Sequence, residues 1–151
     1  MSKTRKTARE KLQTGEAKVV DDPKGRGRML IPRPLDVDAL VREIETGNMA
    51  TVEQVRNRLA RDHDAHLTCP LTTGIFLRIA AEAAEEDIRD GQTEITPYWR
   101  VIKTDGSLNE KFPGGVESQA ALLRQEGHNI EASKGKKAPK VKDFEKSLQP
   151  L

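Results

Sequence analysis

Apolar residues recur at helical spacing in three successive segments in the middle of this 151-residue chain. In "DVDALVREIET", Val37, Leu40, Val41 and Ile44 follow an i, i+3, i+4, i+7 pattern, and Gly47 then ends the repeat. The second segment, "ATVEQVRNRLARDH", opens on an N-cap threonine with a glutamine three residues later, which is close to a capping box. The pattern therefore predicts two short helices before the third segment begins.

The third segment, "CPLTTGIFLRIAAEAAEEDIRD", is the longest and has an acidic end. Pro70 suits the first turn of a helix. The residues that we expect on its buried face are Ile75, Phe76, Ile79, Ala80, Ala83 and Ala84. Three helices joined by short turns are typical of a helix-turn-helix domain.

After the third helix the apolar period changes. "TPYWRVIKTDGSLNEKF" predicts a β-hairpin with strands near 99–103 and 107–112 around an Asp105-Gly106 turn. "VESQAALLRQEGH" then predicts a last helix, with Ala120, Leu122 and Leu123 inward and Gly127 as its C-cap. The predicted fold is mainly α: a winged helix-turn-helix of three helices, a small β-hairpin wing and a C-terminal helix.

The composition of the chain indicates a polar segment at each end of this domain. Residues 1–34 are basic and interrupted by Pro and Gly, which predicts an extended or disordered arm, within which "MLIPRP" (29–34) is expected to lie against the domain as a short strand. Residues 131–151 predict a Lys-rich flexible tail. The winged-helix domain then occupies residues 35–130. No apolar run is long enough for a membrane helix and the N-terminus does not resemble a secretory signal, so we expect a cytoplasmic monomer.

Charge is distributed unevenly. Residues 1–34 carry ten Lys/Arg against four Asp/Glu and residues 131–151 carry six against three, whereas residues 35–130 carry ten against seventeen. Basic ends on an acidic body attract a polyanion such as nucleic acid, or serve only to keep the protein soluble. Charge alone favours the second explanation, in which the basic ends serve to keep the protein soluble.

The segment "TPYWRVIKTDGSLNEKFPGGVESQAALLRQEGH" resembles the active-site region of the O6-alkylguanine-DNA alkyltransferases. That family has a Pro-Cys-His-Arg-Val signature, a polar turn, a Gly-Gly pair and a helix that ends in Leu-Leu, two residues, Glu-Gly. The matching residues here are Pro97, Arg100-Val101, Asp105-Gly106, Gly114-Gly115, Leu122-Leu123 and Glu126-Gly127. The resemblance covers roughly residues 36–130 and implies the same winged-helix domain.

Two substitutions in this signature remove the family's chemistry. Tyr98 stands at the acceptor cysteine and Trp99 at the activating histidine. A phenol is a poor nucleophile at neutral pH and an indole has no basic nitrogen, whereas alkyl transfer needs a thiolate beside a base. The chain is therefore most similar to the alkyltransferase-like proteins, which lack the cysteine and bind alkylated bases without repairing them. We expect no enzyme activity and no cofactor.

The resemblance implies a pocket for a flipped base and a surface for double-stranded DNA. The implied pocket residues are Tyr98, Trp99, Arg100, Gly114, Gly115 and Glu126, with Glu126 expected to accept a hydrogen bond from Trp99 or Tyr98. The expected DNA contacts are Thr51, Arg56, Thr72, Thr73, Gly74, Arg78, Lys103 and Lys111. The resemblance also implies a repair protein as a further partner.

Other departures leave alternatives open. Val52 stands where the family has a nucleotide-rotating tyrosine. The position of the family's intercalating arginine falls near Thr73 or Gly74, with Arg78 one turn later. The acidic end of the third helix would repel phosphate if it faced DNA.

Tyr98 and Trp99 equally suit a wedge in the hydrophobic core. In that case the winged-helix domain is reused for protein interaction and its pocket is vestigial. A third option is alkyl transfer through Cys69, the only thiol. The histidines of "RDHDAH" lack a Cys partner at zinc spacing, so we expect no metal site.

Overall fold

The computed structural model describes residues 7–132 and 135–151, so residues 1–6 of the expected arm and residues 133–134 of the expected tail lie outside it. The helices are α1 (Ala8–Leu12), α2 (Pro34–Arg42), α3 (Val52–Asp62), α4 (Pro70–Arg89) and α5 (Gly115–Gln125). The strands are β1 (Lys18–Asp21), β2 (Arg28–Ile31), β3 (Ala50–Thr51), β4 (Leu67–Thr68), β5 (Val101–Ile102), β6 (Ile130–Glu131) and β7 (Lys140–Val141).

Local sequence signals fix the starts of two helices. Thr51 caps α3, and its side chain and that of Gln54 bond reciprocally to each other's backbone N–H, forming a full capping box. Pro70 occupies the first turn of α4, where its missing N–H costs no hydrogen bond. Both features were predicted from the sequence.

The main core lies between α2, α3 and α4. Val41, Val55 and Leu77 are buried there, together with Tyr98 and Phe112 from the segment after α4. The buried face of α4 agrees in part with the predicted one. Ala80, Ala83 and Ala84 are buried as expected, and Leu77 and Ala81 are buried as well, whereas Ile75 is 48% exposed, so its assignment to the core was wrong.

The N-terminal segment is packed rather than extended. Ala8 and Leu12 of α1 are buried against Ala80 and Ala83 of α4. β1 and β2 pair as an antiparallel hairpin, and β2 also pairs in parallel with β4. The expectation of an extended or disordered arm is therefore wrong for residues 8–28, whereas β2 agrees with the short strand expected within residues 29–34. Leu12 and Leu30 are buried against partners far away in sequence, which composition does not reveal.

The predicted hairpin wing is reduced to a turn. Tyr98–Arg100 forms a 3₁₀ turn, and β5 pairs in parallel with β3 instead of with residues 107–112. The turn itself is present, because the N–H of Lys103 donates to the carbonyl of Ser107 over 2.9 Å. Ser107 then bridges to Lys140 of β7.

The C-terminal segment also packs on the domain, contrary to the expected flexible tail. β6 and β7 pair antiparallel, and Val141 is buried with Ile102 and Leu108. The side chain of Gln149 donates to the carbonyl of Glu43 and accepts from the N–H of Glu45. Among residues 7–132 and 135–151, no helix has the length and apolar character needed to cross a bilayer.

Candidate nucleic-acid interface

Tyr98, which the resemblance assigned to a base pocket, is buried in the main core. Its side chain is 1% exposed and packs edge-on against Trp99 and Phe112, with ring centroids 5.4 and 5.3 Å away. The hydroxyl donates to Oε1 of Glu85 on α4 over 2.8 Å. Burial and, secondarily, this carboxylate raise the pKa of Tyr98 above its ordinary value. Tyr98 is therefore a neutral core residue and does not line an open pocket.

The carboxylate of Glu126, at the end of α5, accepts hydrogen bonds from three residues. Its carboxylate accepts the indole N–H of Trp99 over 2.6 Å, as expected, and the guanidinium of Arg100 over 3.0 Å. The backbone N–H of Gly47 donates to it over 2.9 Å. Burial raises the pKa of Glu126, but the bonds from Arg100, Gly47 and Trp99 outweigh burial, and the pKa is lowered overall.

Arg100 joins this carboxylate to the loop after α2. Besides binding Glu126, its guanidinium donates to the carbonyl of Ile44 over 2.7 Å and to Oγ1 of Thr46 over 2.9 Å. The side chains of Arg100 and Glu126 are only 12% and 9% exposed. Their pair is thus a buried brace with its hydrogen bonds satisfied, rather than a phosphate-binding site.

The glycine pair lies at the start of α5 and not in this cluster. Both Gly114 and Gly115 have a left-handed φ, and a Cβ on Gly114 would collide with Ser118. We call Tyr98, Trp99, Arg100 and Glu126 the aromatic site. An open hollow of about 350 Å³ lies beside it, lined by Arg42, Thr93, Glu94, Ile95, Pro97, Trp99 and Arg100.

A second surface brings together four of the predicted DNA contacts. Gly74 and Arg78 of α4 line one groove with Lys103 and Lys111 from the turn region. The groove has a volume of about 310 Å³, and its other lining residues are Pro70, Leu71, Ile75, Asn109 and Glu110. We call this surface the α4 groove.

Positive charge surrounds the α4 groove. Arg78 pairs with Glu82 and Lys103 with Glu110, both on the exposed surface, and Lys111 has no ion-pair partner within the described residues. Two adjoining hollows share Lys103 and add Lys136, Lys137 and Lys140 from the C-terminal segment. Exposed ion pairs are weak, so a phosphate can replace Glu82 or Glu110 at little cost.

The other four predicted DNA contacts do not line the α4 groove, and two of them are buried. Thr51 is buried as the cap of α3, and Thr73 is fully buried with its hydroxyl donating to the carbonyl of Cys69. Neither is accessible to DNA, so both assignments are corrected. Thr72 is half-buried and donates to Sγ of Cys69. Arg56 is half-buried on α3, outside the residues that line the α4 groove.

The acidic end of α4 holds the N-terminal helix in place. Glu86 accepts the backbone N–H groups of Ala8 and Arg9 in the first turn of α1, whose N-cap is Thr7, and Asp87 pairs with the guanidinium of Arg9. Glu85 accepts from Tyr98. These carboxylates were expected to repel phosphate if they faced DNA. Their partners were not predictable from the sequence, because an acceptor supplied from 77 residues away leaves no local signal.

The histidines and the thiol have ordinary partners. His66 accepts the backbone N–H of Arg28 at Nδ1, and His63 Nδ1 lies 3.0 Å from the carbonyl of Leu59. No group of three metal-ligating side chains occurs in the described parts of the chain. Cys69 is a free, half-buried cysteine at the N-cap of α4.

Comparison with known proteins gives matches at the level of structure. No protein-family model and no curated protein sequence matches this chain. A crystal structure of S. pombe Atl1, an alkyltransferase-like protein, in complex with damaged DNA containing O6-carboxymethylguanine, is similar with a TM-score of 0.54 and 20% identity. A structure of S. pombe ATL in complex with DNA gives 0.53 and 19%. Each match covers 77% of this chain and 93% of the other.

These matches confirm the predicted fold class. They span most of the chain despite the low identity, and they include nearly all of the alkyltransferase-like chain. The packed helices agree with the winged-helix layout, although the wing here is a turn. The chain therefore has the fold of the alkyltransferase-like protein Atl1.

Proposed function

We propose that the protein binds double-stranded DNA without catalysing a reaction on it, and that the α4 groove lies against the duplex. One observation carries this proposal. Gly74 and Arg78, on α4, and Lys103 and Lys111, about thirty residues later, were all expected to contact DNA and line a single groove. The similar fold of Atl1, whose structure was determined in complex with damaged DNA, supports DNA binding.

The electrostatics of the groove fit a phosphate backbone. Lys103, Lys111 and Arg78 are joined by Lys136, Lys137 and Lys140 on adjoining surface, while the carboxylates of α4 that were expected to oppose DNA are engaged with α1 and Tyr98. Lys and Arg side chains that contact phosphates supply most of the sequence-independent affinity.

The test compares one charge reversal in the groove with one outside it. We expect Lys111→Glu to weaken binding to a duplex oligonucleotide about tenfold and to lower the salt slope by about one, because one phosphate contact is lost. Lys24→Glu, an exposed lysine in the β1–β2 turn, makes the same charge change away from the groove. Fluorescence anisotropy at several salt concentrations measures both. Equal losses in the two variants would reject the groove as the binding surface.

Recognition of a modified base is a finer part of the proposal, and we assign it to the hollow beside Trp99. Tyr98 occupies the expected pocket, whereas Trp99 is half-buried and lines a hollow with Pro97 and Ile95. A flipped base needs an aromatic or apolar wall and a few hydrogen bonds to its edge.

Paired duplexes, one with O6-methylguanine and one unmodified, test this assignment. We expect a preference of at least tenfold, about 1.4 kcal/mol, which Trp99→Ala removes and Trp99→Phe keeps, because phenylalanine retains the aromatic wall. Equal binding of the two duplexes by the unaltered protein would reject base recognition and leave duplex binding intact.

A second candidate function is protein interaction, and the burial of Tyr98 favours it because a filled pocket has no base to hold. Absence of duplex binding even at low salt would support this alternative. Alkyl transfer through Cys69 is the third candidate, since this thiol precedes two residues that line the α4 groove. An unchanged protein mass after incubation with alkylated DNA would eliminate it.

A further inference from the structure

We propose that Leu71 and Ile75 form an apolar wedge that enters a base step when the α4 groove lies against duplex DNA. This inference rests on the DNA-binding function proposed above. It concerns how the duplex is deformed, and it assigns a role to two residues that the resemblance leaves without one.

Leu71 and Ile75 are unusually exposed for their size. The exposed large apolar residues of the described chain are Leu71 at 73%, Ile75 at 48% and Ile88 at 47%. Leu71 and Ile75 are four residues apart on the first two turns of α4 and therefore lie on the same face of the helix. They form a small apolar surface that the protein's own packing leaves uncovered.

The surroundings of this surface indicate its occupant. Both side chains line the α4 groove, and Gly74 lies between them without a side chain, where an added Cβ would meet nothing within 4 Å. Lys103 and Lys111 border the same groove. An apolar centre with a positively charged border fits a polyanion whose interior is apolar, and stacked bases between two phosphate strands are such a ligand.

Arg78 lies one turn beyond Gly74 at the edge of the same groove, where its exposed pair with Glu82 is weak enough for a phosphate to replace the carboxylate. Its charge therefore suits the phosphates at the border of the groove, whereas Leu71 and Ile75 are the uncharged side chains that suit the stacked bases. Leucine and isoleucine are among the side chains that architectural proteins insert between base steps, where they unstack the bases and kink the duplex.

The test measures unstacking and affinity on the same complex. The probe is a duplex with 2-aminopurine, whose fluorescence rises when it unstacks, at successive positions. We expect the intact protein to raise this fluorescence at one step, and Leu71→Ala/Ile75→Ala to reduce the rise at least fivefold. The double variant should lose about tenfold in affinity but keep the salt slope, because no charge changes.

Ile88→Ala is the matched control, since Ile88 lies on the same helix with the same exposure as Ile75 but outside the groove. It should leave both fluorescence and affinity unchanged. Salt-dependent binding with no rise in fluorescence, or a rise that the double variant keeps, would overturn the wedge and leave DNA binding standing. If the intact protein fails to bind the duplex, both the wedge and the proposed function are rejected, and the apolar pair is then better explained as a contact for a partner protein.

Discussion

The aromatic site and the α4 groove differ in how completely their polar and apolar groups are satisfied. In the aromatic site, Tyr98 is buried, and Trp99 and Arg100 both donate to Glu126. In the α4 groove, Leu71 and Ile75 are exposed, and Lys111 lacks an ion-pair partner within the described residues. Satisfied groups stabilise a fold, whereas exposed apolar and unpaired charged groups are available for a ligand.

The region that resembles an active site in sequence is therefore not the region whose side chains are exposed to a ligand. The motif that resembles an active site lies in the closed region, where its residues now hold helices and loops together. The residues expected to contact DNA lie partly in the open region. Substitutions of Tyr98, Arg100 and Glu126 should therefore change stability, and substitutions in the groove should change DNA binding.

The largest expected effect is that of Glu126→Ala. This change leaves the largely buried Arg100 without its carboxylate, and we expect a loss of about 3–5 kcal/mol in the free energy of unfolding. Urea denaturation measures the loss. Asp62→Ala is the control, because its ion pair with Arg58 is exposed and should contribute about 1 kcal/mol or less. Similar losses for the two variants would contradict the buried brace.

The lowered pKa of Glu126 also predicts that the stability lost in Glu126→Ala depends on pH. The pKa of Glu126 is lowered by folding, so its contribution is complete well above the ordinary value of 4.5 and is lost as pH falls through the folded pKa. The stability difference between the intact protein and Glu126→Ala should therefore shrink in acid. A difference that stays constant with pH would show that the carboxylate's charge is not what Arg100 requires.

An intermediate effect is expected from Glu86→Ala, which removes the acceptor of two backbone N–H groups in the first turn of α1 and leaves the N-cap Thr7 in place. We expect about 1–2 kcal/mol of lost stability and faster hydrogen exchange at residues 8–12, because these N–H groups lose their acceptor. Glu82→Ala, one turn earlier on α4, removes only the exposed pair with Arg78 and should change stability little. Unchanged exchange in Glu86→Ala would show that α1 does not depend on this carboxylate.

The smallest effect is expected from Tyr98→Phe. The ring volume is kept and one hydrogen bond to Glu85 is lost, so we expect a cost of about 1 kcal/mol at neutral pH. Because folding raises the pKa of Tyr98, the phenol's contribution is complete below pH 10 and is lost as pH rises above it, when the unfolded chain ionises. The gap between the two proteins should narrow in alkali. A gap that instead widens would mean that this sign is wrong.

The sequence predicted those features that depend on neighbouring residues. Thr51 and Gln54 are three residues apart and identify the start of α3, and Pro70 identifies the start of α4. The bond from Trp99 to Glu126 was expected from the order of the motif. In each case the informative residues form one short pattern, so no knowledge of tertiary packing was needed.

Features that depend on distant partners were not predictable in this way. Leu12 lies in a polar, basic segment, and only its packing on Ala80 and Ala83 makes it a core residue. β5 pairs with β3 over two residues, too few to leave a hydrophobic alternation.

The position of Tyr98 also bears on protein engineering. Installing a Cys-His pair at 98 and 99 would remove a ring that fills the core and an indole that bonds to Glu126, and it would leave Glu85 without a donor. A reactive thiol placed there would have no open path from solvent, since the native side chain is 1% exposed. Designing an alkyl acceptor into this scaffold therefore requires a substrate cavity to be opened in the core and its walls to be repacked before any catalytic group is introduced.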